Sequence, residues 1–204
     1  MKTASDMIPP QEDGRATDFT AQKTFADISE AHDFYKKSVA RLFNVNEWHN
    51  YAGPGSSKFQ LFNNQGDPTG GYVVEGALIA IDLPIPGSNA GDGLEWVMVE
   101  QIDTLESPQG DEEFVTITVR PIPEPHNTDA QIAHFYKEVS TSTFIVKRIG
   151  CTVTAGVHGR NEMPNNNGVG MHDKIRNTIV ALSARIGLAG PQWKKLVNGL
   201  IGDI

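Results

Sequence analysis

Apolar and polar residues alternate most clearly in FVTITV, residues 114–119. Val115, Ile117 and Val119 fall on one face, Thr116 and Thr118 on the other. Period-two alternation marks a strand with one buried and one wetter face. Comparable runs predict strands at Phe59–Phe62, Tyr72–Leu83, Glu95–Ile102, Phe114–Arg120, Thr143–Ile149 and Cys151–Val157. Turn chemistry separates them in NNQGDPTGG, PIPGSNAGDG and SPQGDEE. The segment PIPEPHNTD carries three prolines, which remove amide donors, so it reads as an extended surface connection.

Helical spacing appears at both ends of this series. Tyr35, Val39, Leu42 and Phe43 form one stripe, with Ser29 as N-cap and Glu30 and Asp33 in the first turn. Ala130–Glu138 reads as a short helix that turns Ile132, Phe135 and Tyr136 inward. In HDKIRNTIVALSARIG, residues Ile175, Ile179, Leu182 and Ile186 share a face, and Gly187 sits where a C′ glycine belongs. Gly190-Pro191 opens a second terminal helix, with Trp193, Leu196, Val197, Leu200 and Ile201 as its apolar face. That stripe reads as a seal over the core.

Strands in series followed by helices predict an α+β fold with an antiparallel sheet. The sheet is expected to curve strongly or to close into a small β-barrel, with one N-terminal and two C-terminal helices. GALIAIDLPIPGSNAGDGLEWVMVEQI resembles the strand pairing of SH3-like barrels, in which a glycine-rich loop leads into a tryptophan strand. An alternative layout is similar to START-like helix-grip folds, where an early helix, a curved sheet and long C-terminal helices enclose a lipid-sized cavity. Here the terminal helices are shorter and broken at Gly190-Pro191. Residues 1–28 are polar and punctuated by Pro9-Pro10 and Gly14, so composition marks them as an arm, with residues 29–204 as one domain. If such an arm is ordered, it either wraps its own body or docks on a neighbouring copy, and a docked arm would point to a homo-oligomer.

Charge adds an asymmetry. The net charge is −8, but residues 1–143 carry a net of −13 and residues 144–204 a net of +5. Overall acidity argues against nucleic-acid and membrane-surface partners. The basic end leaves room for a small anionic ligand, or simply complements the acidic part within one fold. The start lacks an apolar signal-type run, and Cys151 is the single cysteine, so a soluble cytoplasmic protein is expected.

Strong catalytic signatures are missing. GPGSSK at 53–58 has the residue types of a phosphate loop at the wrong spacing, and no HExxH, CxxC, GxSxG or EF-hand pattern occurs. No cofactor is expected. The histidines offer no close ligand pair, and His126, Asp129 and His134 would meet a metal only if their loop folded back, so no metal is expected. Cys151 is in phase with Val153, Ala155 and Val157 and reads as a buried thiol. The candidate site is the strand end HGRNE. On strict alternation His158, Arg160 and Glu162 share a face, and such a trio can hold a carboxylate or phosphate, with His172 nearby. The same trio on an outward face would be solvated surface with an Arg160–Glu162 ion pair. Trp48 lies in a turn-rich stretch with His49 and Tyr51, where it can stack a ligand ring or pin the loop to the core.

Three functions fit this reading. The first is a non-catalytic binding or assembly protein. The second is a small-anion binder or enzyme built on His158, Arg160 and Glu162. The third is a carrier of an apolar ligand inside the curved sheet.

Overall fold

A computed structural model describes residues 2–83, 94–107, 110–126, 136–163 and 190–202. The elements in chain order are β1 (Arg15–Thr24), α1 (Ile28–Phe43), α2 (Trp48–Ala52), β2 (Lys58–Phe62), β3 (Leu78–Asp82), β4 (Glu95–Leu105), β5 (Glu112–Pro121), β6 (Thr141–Ile149) and β7 (Thr152–Glu162). A further helix, α3, covers 190–200. The expected helices over 172–187 and 130–138 fall wholly or largely outside the described residues, as does the loop 84–93. No described helix is long and apolar enough to cross a membrane.

The strands form one antiparallel sheet in the order β1-β7-β6-β5-β4-β3-β2. Strands β2 to β7 succeed one another as a meander, and β1 closes onto β7. The barrel expectation is therefore corrected: the sheet is open, with β1 and β2 as its edges. The SH3-like pairing gives way to this meander. The edge at β2 is blocked by its own surroundings. Leu61 N–H donates to the Asn46 side chain (2.7 Å), and Leu61 C=O accepts from Thr69 N–H (2.9 Å). With those groups occupied, β2 cannot accept another strand there. An early helix, an antiparallel sheet and a terminal helix on one face match the element order of the helix-grip alternative.

The inner face, toward α1 and α3, holds the main core. Phe59, Ile79, Val97, Ile117, Phe144, Val153 and Ala155 meet Ala31, Tyr35 and Leu42 of α1 and Leu196, Val197 and Leu200 of α3. The α1 stripe is centred on Ala31, Tyr35, Ser38 and Leu42, with Val39 and Phe43 at its margin. Its N-cap is Asp27, not Ser29. Asp27 has extended backbone and its carboxylate accepts from Glu30 N–H (2.9 Å), so the helix starts at Ile28. Residues 72–77 leave the expected strand, because Val73 N–H donates to Phe43 C=O at the end of α1 and Gly76 turns the chain at φ +79°. Tyr72 and Val74 are each 61% exposed as a result.

Within the stretch read as a polar arm, Ala4–Met7 form a 3₁₀ turn and Arg15–Thr24 form β1. The segment straps the outer face of its own sheet. Ala4, Met7 and Ile8 pack on Phe114 and Ile145, and Ala4 N–H donates to Glu112 (3.1 Å). At the other end, the Asn161 side chain accepts from Glu12 N–H and Asp13 N–H (2.7 and 3.2 Å) and donates to Pro10 C=O (3.1 Å). These contacts hold the arm within one chain, and the reason for expecting a second copy goes with them. They also change β5, whose outward Thr116 and Thr118 are buried rather than wet, with Thr118 bonded to Thr143 (3.0 Å).

One end of the sheet carries a buried charge cluster. Arg148 is 0% exposed and Glu113 1%. Arg148 Nε donates to Glu113 Oε1 (2.5 Å), and its Nη groups donate to the carbonyls of Gly150, Ser107 and Gly110 (2.8, 3.1 and 3.1 Å). His32 of α1 meets the same carboxylate at 2.7 Å. One guanidinium thus ties the β4–β5 turn, the β6–β7 turn and α1 together. Replacing Arg148 by Met leaves Glu113 buried without its main counter-charge. The expected loss is about 3–5 kcal/mol in urea unfolding, and Arg148→Met combined with Glu113→Leu is expected to recover part of it. A loss below about 1 kcal/mol for the single variant would contradict this role.

Candidate functional site

The strand end HGRNE does not keep strict alternation. Thr17 pairs with Gly159 and Arg15 with Glu162, so Ala16 alone faces the two residues Arg160 and Asn161. This is a β-bulge on β7, and Asn161 takes a positive φ of 54° within it. Asparagine tolerates that conformation better than most residues. The extra residue reverses the facing of the next position. His158 points outward with Thr152 and Thr154, whereas Glu162 turns inward.

The expected trio is thereby split. His158 Nδ1 lies 2.6 Å from Asp18 Oδ1 on β1. Arg160 donates to the same oxygen (2.9 Å) and to the carbonyls of Gly159 and Thr17 (2.7 and 3.2 Å). Burial works against the Asp18 charge, but the hydrogen bonds from His158 and Arg160 prevail and hold its carboxyl below the usual range. The ion pair of Arg160 is with Asp18, not with Glu162. Trp48 is fully buried, donates Nε1–H to the carbonyls of Arg41 and Leu42 (3.1 Å each), and packs on Phe59 and Phe144. It pins α2 to the core. His172 lies outside the described residues, as do Asp129 and His134; His126 meets Gly66 C=O at 3.2 Å. Cys151 sits half-buried in the β6–β7 turn, not on the apolar face, because β7 begins at Thr152.

Glu162 is 4% exposed. Its Oε1 accepts from Thr17 Oγ1 (2.9 Å), while Oε2 has no hydrogen-bond partner among the described residues. Gly159 makes room for this carboxyl, since a Cβ there would collide with Oε1. Burial pushes the Glu162 carboxyl above its ordinary value, opposed by the Thr17 and Tyr136 hydroxyls and by the charges of Arg15 and Arg160. Burial likewise pushes the neighbouring Tyr136 phenol up, helped by Glu162.

Glu162 opens into a small chamber of about 30 Å³ between the inner sheet face and α3. Ile81, Leu83, Val97, Val119 and Phe144 form apolar walls, and Trp193 of α3 contributes the lid. The polar lining is Glu162, Glu95, Tyr136 and Ser142. Glu95 is 1% exposed and was visible in the sequence, because it falls in phase with Val97 and Val99 on a buried strand face. Tyr136 and Trp193 read only as core residues. Larger clefts of about 380 and 430 Å³ lie beside Pro9-Pro10 and beside His49 and Lys58, both open to solvent.

The lid is anchored at its far end. Arg41 of α1 donates to the carbonyls of Gly199, Leu200 and Gly202 (3.0, 3.4 and 2.8 Å), capping the end of α3. Gly199 lets α3 lie against Tyr51, whose carbonyl oxygen would collide with a Cβ at that position. Gln192 and Lys195 bond the α2–β2 loop at Ser57 N–H and Pro54 C=O (2.9 and 3.0 Å).

No family model and no curated protein matches this chain. Among solved structures, the chain is similar to major latex-like protein 151 from Panax ginseng at 13% identity, covering 87% of this chain and 99% of that one, with a TM-score of 0.34. Ara h 8.0201 shows 12% identity, 93% and 100% coverage and a TM-score of 0.33. A protein from Arthrobacter aurescens gives 11%, 90% and 85%, and 0.38. TM-scores this low do not establish a shared fold.

The raised Glu162 pKa has a signed consequence. The folded state holds this proton more tightly than the unfolded chain, whose glutamate titrates near 4.3, so folding loses stability as pH rises from about 4 through the folded value. Glu162→Gln removes that loss. In urea unfolding, the stability of the variant relative to wild type is expected to improve from about pH 4 to about pH 8. An unchanged or falling difference would contradict the burial of this carboxyl.

Proposed function

We propose that this protein is a binding protein or carrier for a small, mostly apolar molecule with a polar head, held between the inner sheet face and α3. The observation that carries the reading is the chamber: apolar walls, an aromatic lid, and buried polar groups that converge on one void. Ligand sites are commonly apolar with a few placed polar groups. The present volume of about 30 Å³ matches one water molecule, so it receives a head group and not a whole ligand. The apolar body is accommodated by outward movement of Trp193, which is only partly buried. The helix-grip layout supports the same reading, since its terminal helix lies over the inner sheet face.

The test fills the chamber. Titration of the full chain with 1-octanol and n-octylamine, monitored by calorimetry, is expected to show saturable binding of at least one of them. Val119→Phe places a ring in the void and is expected to weaken that binding about tenfold or more. The carrier reading falls if neither compound binds, or if the filled variant binds undiminished.

A further inference from the structure

Strand β2 has one unfilled position on its free edge. In an antiparallel pair, residues that exchange backbone hydrogen bonds with the partner strand alternate with residues whose N–H and C=O point away from it. Leu61 is of the second kind, since Asn46 and Thr69 take its N–H and C=O. Phe59 lies two residues earlier in the same unbroken register, so its N–H and C=O also point away from β3. No described residue outside the sheet pairing bonds them. Two residues earlier again, Ser57 N–H is taken by Gln192 of α3 (2.9 Å). The cleft of about 430 Å³ lies against this position, lined by Phe59, Asn46, His49 and Thr69. We propose that the cleft binds a small neutral molecule carrying an amide whose N–H and C=O lie side by side, as in a lactam or a primary carboxamide. The ligand N–H donates to Phe59 C=O, and its C=O accepts from Phe59 N–H. This site is separate from the chamber under Trp193.

Width, complementarity and charge select this class. Strand addition needs a run of free backbone groups along an edge. Here the free edge is one residue wide, closed by Gln192 at Ser57 and by Asn46 and Thr69 at Leu61. A single residue presents one donor beside one acceptor. A carboxylate offers acceptors only and an ammonium donors only, so either would leave one of the two backbone groups unmatched, whereas an amide edge matches both. Lys58 and Asp82 face each other across β2 and β3 and line the cleft with one charge of each sign, which gives no net pull on an ion. Ala80 and Leu94 offer apolar surface to the ligand's carbon skeleton. His49 lines the same cleft, and its buried Nδ1 has no hydrogen-bond partner among the described residues, so polar capacity is left over on this side of β2. The volume falls within the range of roughly 300–1,000 Å³ common for small-molecule sites. Water bonds the same groups when no ligand is present, so a bare amide gains little and binds weakly.

The probes are δ-valerolactam and N-methyl-δ-valerolactam, titrated into the isotope-labelled full chain and followed by amide NMR. The two share ring and carbonyl, and only the first has an N–H. The lactam is expected to move the Phe59 amide resonance saturably, with Kd on the order of millimolar, and the N-methyl compound to bind about tenfold more weakly or not at all. Hydrogen exchange checks the premise. Without ligand, the Phe59 amide is expected to exchange about tenfold or more faster than that of Gln60, which bonds to β3, and saturating lactam is expected to slow it. The proposal is overturned if Phe59 is as protected as Gln60, if the lactam leaves the Phe59 amide unmoved, or if the N-methyl compound binds equally well. Shifts confined to Val119 and the Trp193 indole would also overturn it, since they would place the lactam in the chamber. Loss of the chamber reading leaves these outcomes unchanged.

Discussion

One additional residue in β7 organises both sides of the molecule. Without the bulge at Arg160 and Asn161, Glu162 would join His158 and Arg160 on the outer face. With it, the outer face keeps a paired charge cluster around Asp18, and the inner face gains a buried acid. The bulge is held from outside, because the Asn161 side chain binds the backbone of Pro10, Glu12 and Asp13 and its N–H donates to Gln11. It is held from inside by the Thr17–Glu162 bond. Residues 158 to 162 therefore have distinct tasks: the imidazole pairs with Asp18, Gly159 leaves space for a carboxyl, Arg160 locks β1, Asn161 turns the chain and Glu162 enters the chamber.

The terminal helix shows a comparable division. Its apolar residues Leu196, Val197 and Leu200 are buried in the main core, and Arg41 with Gly199 fixes its end against α1 and α2. Trp193, one to two turns earlier, is only partly buried. The strongly held end and the less buried ring belong to one short helix. Gln192 and Lys195 tie the Trp193 end to the α2–β2 loop, so polar contacts hold the part of α3 over the chamber and apolar packing holds the rest.

How far the sequence reveals this depends on the range of the forces involved. The alternation in FVTITV locates β5 and its inner face directly, and the spacing of Leu196, Val197, Leu200 and Ile201 gives the buried face of α3. Both signals are local. β1 is different: RATDFTAQKT is polar because it is half-exposed, and its order comes from backbone pairing with β7, about two thirds of the chain away. Composition carries no trace of such pairing. The N-cap at Asp27 was within reach, since Asp27 and Ser29 are both good caps and only the backbone geometry separates them. Whether the sheet would close or stay open was not, because that depends on how the whole sheet coils between edges far apart in sequence.

The candidate site was half visible, and the hidden half has a definite physical cause. HGRNE supplies Glu162 to the chamber, but strict alternation assumes that each residue advances the strand by one position. Asn161 breaks that assumption, because it is a residue that can adopt a positive φ at modest cost and so absorb the extra position. Glu95 shows the opposite case. In EWVMV a carboxylate stands in phase with two buried valines, which is a conflict between polarity and position. Such a conflict is costly in a core unless the carboxylate is paired. Here Glu162 arrives through the bulge, and the two acids line one void. A misplaced charge on a clean strand and a residue able to shift the register are thus parts of one arrangement. Neither alone indicates a chamber; together they place its polar end between β4 and β7.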